Sequence, residues 1–244
     1  MDETEVSHVR LLEQEQNLEI TKENGSRDLL LQYYSQIGQD KFVNERIFQG
    51  MEKGFFVEIG AHDGISISNS YFFEKHKNWD GICIEPIPEV FELLRKNRKC
   101  ICIEGAISNE NGNQDFLQIQ GSLEMLSGLV DKFDLRHKER INIELQDCGG
   151  SCKVVKVKTY TLQSILDNHN VTHIDLLSID TEGAELAVLQ SIDFKKVKIE
   201  CIVAENNYQE KSVEEFLTMQ GYRLVEKLPF DDIFLHHKSN LSVL

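Results

Sequence analysis

Residues 55–64, FFVEIGAHDG, set one carboxylate, Glu58, inside an apolar run that then breaks into two glycines, a histidine and an aspartate. A glycine directly after a strand lets the backbone approach a ligand, and a second lets the chain move on without a side chain in the way. The pattern from Gly60 to Gly64 lacks the middle glycine that admits the pyrophosphate of a dinucleotide. Glu58 beside the turn and Asp63 within it would repel a phosphate but suit a cationic amine. Glu85 closes the next apolar run, GICIEP, 25 residues beyond Gly60. A carboxylate at that distance accepts hydrogen bonds from both ribose hydroxyls in nucleoside-binding parallel sheets. The third run ends EGAIS, where small Gly105 and Ala106 leave room for a flat base and Glu104 could meet its exocyclic amine. Singly, a glycine turn is ordinary punctuation and a glutamate at a strand end is usually solvated. In order, they describe a site for a nucleoside with a charged amino-acid tail, which points to S-adenosylmethionine.

A second set of residues suits proton or metal chemistry. IDLLSID ends on Asp180, with Glu182 and Glu185 just beyond, and IECIVAEN ends on Glu205 and Asn206. Neighbouring parallel strands would set Asp180, Glu205 and Asn206 side by side, an all-oxygen group suited to Mg²⁺. Against this, Glu182 and Glu185 open a helix, where acids favour the amino-terminal dipole by about 0.3–1 kcal/mol. A hydroxyl nucleophile needs a base or a metal; Asp180 is one candidate base, and His62, titratable near neutrality, is its rival. The remaining histidines carry no partner motif.

The elements that must position these residues follow from the pattern. Apolar runs rich in Ile, Val, Phe and Leu predict strands at 54–59, 81–85, 100–107, 154–157, 174–180, 199–206, 222–227 and 233–236. Helical periodicity predicts helices near 68–77, 88–97, 161–169, 183–192 and 210–219. The alternation implies an α/β fold, a mostly parallel sheet with helices on both faces, closed at one edge by an antiparallel hairpin of the last two strands. Such a sheet binds ligands beyond the carboxyl ends of its strands, at the switch in strand order. Over 108–153 the alternation lapses, so this segment reads as an insertion, either a lid over the ligand edge or a plain surface excursion. Residues 1–28 hold eight acids and three bases with no aromatic, an acidic extension ahead of a single domain at 29–244.

With 26 basic against 41 acidic residues the net charge is −15, which argues against nucleic acid and anionic membrane as partners. No apolar run approaches the length of a membrane span and the start lacks the layout of a secretory signal, so a cytoplasmic protein is expected. Of six cysteines, four sit in strand-like runs where a thiol behaves as a small hydrophobe.

The segments SQIGQDKF, GFFVEIGAHDG, SNSYFFEK, NWDGICIEPIPEVFELL, EGAIS and DLLSIDTEGAELAVLQSIDF, spread over 33–222, together resemble the FkbM family of S-adenosylmethionine-dependent methyltransferases. The resemblance implies a class I Rossmann-like methyltransferase with a seven-stranded sheet, acting on hydroxyls of sugars, glycans or small natural products. It implies that Glu58, Gly60, Ala61, Asp63 and Gly64 hold the methionine portion, that Ser68 and Asn69 line the way in, and that Glu85 with Pro86 holds the ribose. Glu104 and Ala106 complete the expected cofactor contacts. Gln39 and Thr181 depart from residues common in the family, which bears on substrate more than on cofactor. Two other readings stay open: an NAD-dependent oxidoreductase, and a scaffold that keeps the pocket without turnover.

Overall fold

The computed structural model describes residues 32–243, so the acidic extension at 1–28 lies outside the described residues. The chain enters through a four-residue helix α1 (Gln39–Phe42) that runs into one π-turn at Val43–Ile47. There follow β1 (Phe55–Ile59), α2 (Tyr71–Lys77), β2 (Asp80–Glu85), α3 (Pro88–Asn97) and β3 (Ile101–Glu104). After a second, smaller sheet come α5 (Leu162–Asn168), β8 (His173–Ile179), α6 (Glu185–Gln190), β9 (Lys198–Glu205), α7 (Ser212–Met219), β10 (Tyr222–Lys227) and β11 (Asp231–His236). The main sheet has seven strands in the order β10-β11-β9-β8-β1-β2-β3. It is parallel except for β11, which runs antiparallel to both β9 and β10. Strand order reverses between β1 and β8, so the switch point falls where Gly60 and Asp180 end adjacent strands.

The apolar runs form strands because both faces of each are covered. In β1, Val57 and Ile59 turn to one core with Leu162, Ile165, Val188 and Leu189, while Phe56 turns to the other with Phe72, Phe73, Trp79 and Leu94. Each of these side chains contributes roughly 1.5–3 kcal/mol of burial. Glu58 shares the Phe56 face by the period of two along a strand, so a carboxylate enters a core and has to be satisfied there.

Three expectations change. The helix expected at 68–77 starts at Tyr71, because the side chains and amides of Ser68, Asn69 and Ser70 are engaged with Glu58. The strand expected at 100–107 breaks at Gly105, whose φ of +146° turns the chain out of the main sheet. The strand expected at 154–157 belongs to neither the main sheet nor its register.

It is part of a four-stranded sheet, β4-β7-β5-β6, formed by β4 (Ala106–Ile107), β5 (Gly112–Gln120), β6 (Gly128–Leu129) and β7 (Ser151–Tyr160). The segment at 108–153 is therefore ordered: a long β5–β7 ladder from Gly112↔Thr159 to Gln120↔Ser151, a 3₁₀ turn at Glu124–Leu126, and α4 (Leu135–Cys148) capped by Asp134. Alternation in β5 is masked by its polar outer face, GNQDFLQIQ, in which only Phe116, Gln118 and Ile119 are buried. All six cysteines are free thiols. Among the described residues no helix is long and apolar enough to cross a membrane.

Candidate active site at the switch point

At the end of β1 the backbone passes so close to β8 that a Cβ on Gly60, at φ +80°, would lie 1.8 Å from the Asp180 carbonyl oxygen. Gly60 is thus demanded by the neighbouring strand as much as by any ligand. The next residues bend over the end of β2: the amides of Gly60 and Ala61 donate to Ile84 O, and the amide of His62 donates to the Glu85 carboxylate at 3.0 Å. His62 has φ +48°, a left-handed conformation that costs a non-glycine residue on the order of 1–2 kcal/mol. It is held there by that amide bond and by its ring, whose Nε2 lies 2.9 Å from Glu124 Oε1 on the 3₁₀ turn of the smaller sheet. Across the switch point Glu182 is also left-handed, at φ +54°.

These turns border a small cleft of about 20 Å³, lined by Glu58, Gly60, Ala61, His62, Ser68, Asn69, Ser178 and Asp180, with Met125 of the 3₁₀ turn also on its wall. The structure therefore brings together most of the expected methionine-side residues and both candidate bases. It leaves others apart. Asp63 spends its carboxylate on its own turn, accepting from the Ile65 and Ser66 amides at 2.8 and 2.7 Å and from the Ser66 hydroxyl at 2.7 Å. Burial pushes that carboxyl up, but these three donors hold it below its ordinary value. Gly64 faces α3, where a Cβ would meet Leu94 Cδ1 at 2.6 Å and Arg98 Cγ at 2.7 Å, so it serves packing.

Glu58 also differs from expectation. Its carboxylate accepts from Ser68 Oγ at 2.9 Å, the Asn69 amide at 2.7 Å, Ser70 Oγ at 2.7 Å and Arg98 Nη1 at 3.2 Å. Arg98 is itself buried and bridges on to Glu74 at 3.1 Å. A carboxylate with this many donors and a buried guanidinium has little left for an incoming amine. The unspent group is on its partner Asn69: the side-chain amide donates to Ser178 Oγ at 2.9 Å, while Oδ1 is buried with no partner, on a residue that lines the cleft. His62 Nδ1 is likewise buried without a hydrogen bond.

Glu85 ends β2 with one oxygen accepting from His62 N and the other from Ile87 N at 2.9 Å. Burial pushes its carboxyl up to about 7 despite both amides. Pro86 and Glu104 face a different space, an open groove of about 750 Å³ between β3 and β7 that also carries Lys153, Lys156 and Lys158. Ala106 is enclosed by Ile87, Val90, Phe116, Leu129 and Val157, so the flat slot expected beside it is filled by side chains.

Beyond β8 and β9 three acids converge: Asp180, Glu182 and Glu205 offer oxygens that all lie within 4.8 Å of one another. Burial and the charges of Asp231 and Glu185 push the Asp180 carboxyl up to about 7, and burial beside Asp180 raises Glu182 and Glu205 well above the usual range. Asn206 is not part of this group. Its Nδ2 donates to Asp232 at 2.7 Å and to Glu210 O, and its Oδ1 accepts from the Glu210 amide. The β9 strand ends at Glu205, so the next side chain turns away from the edge, and Glu182 takes its place from the left-handed turn after β8. Glu185 caps that turn, accepting from the Thr181 and Gly183 amides.

Sequence reasoning missed Arg98, Glu124, Asn207 and His137. Arg98 carries a signal that reads as such only afterwards: a carboxylate inside an apolar strand requires a buried cation somewhere. Asn207 lies two residues beyond Glu205 and donates to it at 2.5 Å, a pairing no spacing rule marks.

A mostly parallel sheet with its reversal between β1 and β8, a glycine turn after β1, an acid ending β2 and an acid after β8 define a Rossmann-like methyltransferase fold. Residues 58–224 match the family described as Methyltransferase FkbM domain, and the chain belongs to that family. No curated protein matches the sequence. Among solved structures, one similar to this chain is the methyltransferase FkbM from Methylobacillus flagellatus, at 12% identity and a TM-score of 0.44, covering 87% of this chain and 46% of that one. The chain thus spans less than half the length of that protein. A precorrin-6y C5,15-methyltransferase from Geobacter metallireducens is similar at 12% identity and a TM-score of 0.40, with 76% and 82% of the two chains covered. A methyltransferase from Pyrococcus furiosus is similar at 11% identity and 0.39, with 94% and 97% covered.

Proposed function

We propose that this domain transfers a methyl group from S-adenosylmethionine to a hydroxyl of a sugar, a glycan or a small natural product. The observation that carries the reading is the family match across 58–224 together with the chemistry of the cleft inside it. S-adenosylmethionine suits these residues. The buried, unpartnered Asn69 Oδ1 would accept from the donor's ammonium group, in place of the saturated Glu58. Glu85, held by two amides and with lone pairs to spare, would accept from the ribose. The bound donor supplies an activated methyl on sulfur; the protein's part is alignment and the exclusion of water. Asp180, lining the same cleft with its carboxyl raised to about 7, is placed to take the proton of the acceptor hydroxyl. His62, whose Nε2 is engaged by Glu124 while its Nδ1 has no hydrogen-bond partner, stays the rival base in the same cleft. Met125 of the 3₁₀ turn lines a cleft of only about 20 Å³, so donor binding would require this wall to move.

Nothing in the turn favours a dinucleotide, since Glu58 and the missing glycine oppose a pyrophosphate. A reduced, disulfide-free chain, with six free thiols, fits work in the cytoplasm. The test is calorimetric titration with S-adenosylhomocysteine and with NADH, followed by a screen of sugar and polyketide hydroxyls with labelled donor. Saturable binding of S-adenosylhomocysteine with label transfer is expected. Binding of NADH instead would overturn the reading, and donor binding without transfer to any acceptor would favour the scaffold.

A further inference from the structure

From the acidic cluster and one orphaned ring nitrogen, we infer that Asp180, Glu182, Glu205 and His137 form a site for a divalent first-row transition ion, one that clasps the smaller sheet's helix to the switch point. His137 lies on α4 and is buried, at 1% exposure. Its Nε2 lies 3.1 Å from the Leu126 carbonyl oxygen, which can only accept, so Nε2 carries the proton. In the neutral ring Nδ1 therefore presents a lone pair. That atom has no hydrogen-bond partner and lies 3.3 Å from Glu182 Oε2. Two lone pairs facing each other in a buried place are unfavourable unless a cation or a proton lies between them.

The surroundings favour a cation. Among the described residues no lysine or arginine forms an ion pair with Asp180, Glu182 or Glu205, although their oxygens converge within 4.8 Å. Arg140, whose charge reaches Glu182 without forming an ion pair with it, is engaged with Glu144 at 2.7 Å. The donors the cluster does have, Asn207 Nδ2 and the Glu182 amide, reach Glu205 at 2.5 and 3.2 Å. A nitrogen and an oxygen each about 2.1 Å from one ion are roughly 3 Å apart when they subtend a right angle, close to the His137–Glu182 separation. His137 is not in the group whose atoms all lie within 4.8 Å of one another, so it meets the three carboxylates through Glu182 and closes on the ion as it binds. Three carboxylates and one imidazole favour Mn²⁺, Co²⁺ or Zn²⁺ over Mg²⁺, which takes oxygen ligands almost alone. A neutral imidazole fixed by a carbonyl at its other nitrogen is the usual state of a ligating histidine.

Ion binding is measured without donor or acceptor, so this site stands apart from the methyl-donor reading; Asp180 holds the ion when it is bound and acts as base only in the ion-free protein. The whole chain is freed of metal with a chelator and titrated separately with Mn²⁺, Co²⁺ and Mg²⁺ by calorimetry. One Mn²⁺ or Co²⁺ per chain is expected, bound more tightly than Mg²⁺, and His137→Ala should weaken it by at least about tenfold. Should that variant fail to fold, the electron spin echo of Mn²⁺ on the unaltered protein reads the same point, through modulation from one imidazole nitrogen. Absence of saturable binding overturns the inference and leaves a shared proton between His137 and Glu182. Equal affinity for Mg²⁺, unchanged affinity in His137→Ala, or no nitrogen modulation would overturn it as well.

Discussion

Two groups of acids stand at adjacent strand ends, one buried around Glu58 and one part-buried around Asp180, and they are built in opposite ways. Around Glu58 every oxygen is met: two serine hydroxyls, backbone amides and Arg98 converge, and Arg98 is held in turn by Glu74. Around Asp180 the neighbours are other carboxylates, Glu182 and Glu205, with no lysine or arginine of the described residues paired to them and only the His137 ring 3.3 Å from Glu182. The first arrangement lowers the energy of one fixed geometry. The second raises the energy of its own ionised form, which makes sense where a proton or a cation has to be taken up and released. Burial alone therefore does not mark function; the supply of donors does.

The comparison can be broken most forcefully at Arg98. Arg98→Ala strands Glu58 and Glu74 without their cation, and a loss of about 3–5 kcal/mol is expected in urea denaturation. A loss under about 1 kcal/mol would mean that the Glu58 group is no structural hub. Asp180→Asn should do the reverse: methyl transfer falls by roughly 10²–10⁴-fold as the base is lost, while thermal stability holds or rises because one of three repelling charges is gone.

Glu85 lies between these extremes, and Glu85→Gln is expected to lower affinity for S-adenosylhomocysteine by about 1–3 kcal/mol. Burial raises its carboxyl from 4.5 to about 7 in the folded protein. A folded-state value above the unfolded one means more protons bound in the folded state between those two values. Stability from this group is thus full below about pH 4.5 and is lost as pH rises through about 7. Hydroxyls that donate to Glu85 favour its ionised form, so nucleoside affinity should climb between pH 6 and pH 8 in the native protein and stay flat in Glu85→Gln. The smallest effect belongs to Glu124→Gln. Removing a partly exposed partner of His62 should change global stability by no more than about 1 kcal/mol, yet speed hydrogen exchange around the 3₁₀ turn. Unchanged exchange there would show that the turn is not fastened through His62.

The main sheet was legible because its central strands β1, β2, β8, β9 and β11 are buried on both faces and read as continuous apolar runs, while the edge strands β3 and β10, less buried, keep enough Ile, Leu, Val and Tyr to be read as strands. The smaller sheet was not, since β5 and β7 are buried on one face only and their lysines, glutamines and asparagines hide the period of two. The glycine turn and Glu85 were legible from type and position. What each side chain touches was not: Glu58 looked like a ligand group because nothing in the sequence ties it to Arg98, 40 residues away. Adjacency along the chain points to Asn206 beside Glu205, but the left-handed residue at 182 brings Glu182 there in space.

The break at Gly105 bears on how such a domain diversifies. The chain leaves the main sheet through β4 and returns through β7, and these two strands are hydrogen-bonded neighbours, Ala106 beside Thr159 and Ile107 beside Tyr160. Exit and return thus form a single two-stranded doorway, about 5 Å wide. Everything beyond it can be lengthened, shortened or exchanged without rethreading a strand of the larger sheet. The annex can change in length and sequence while the strand ends at the switch point keep their register.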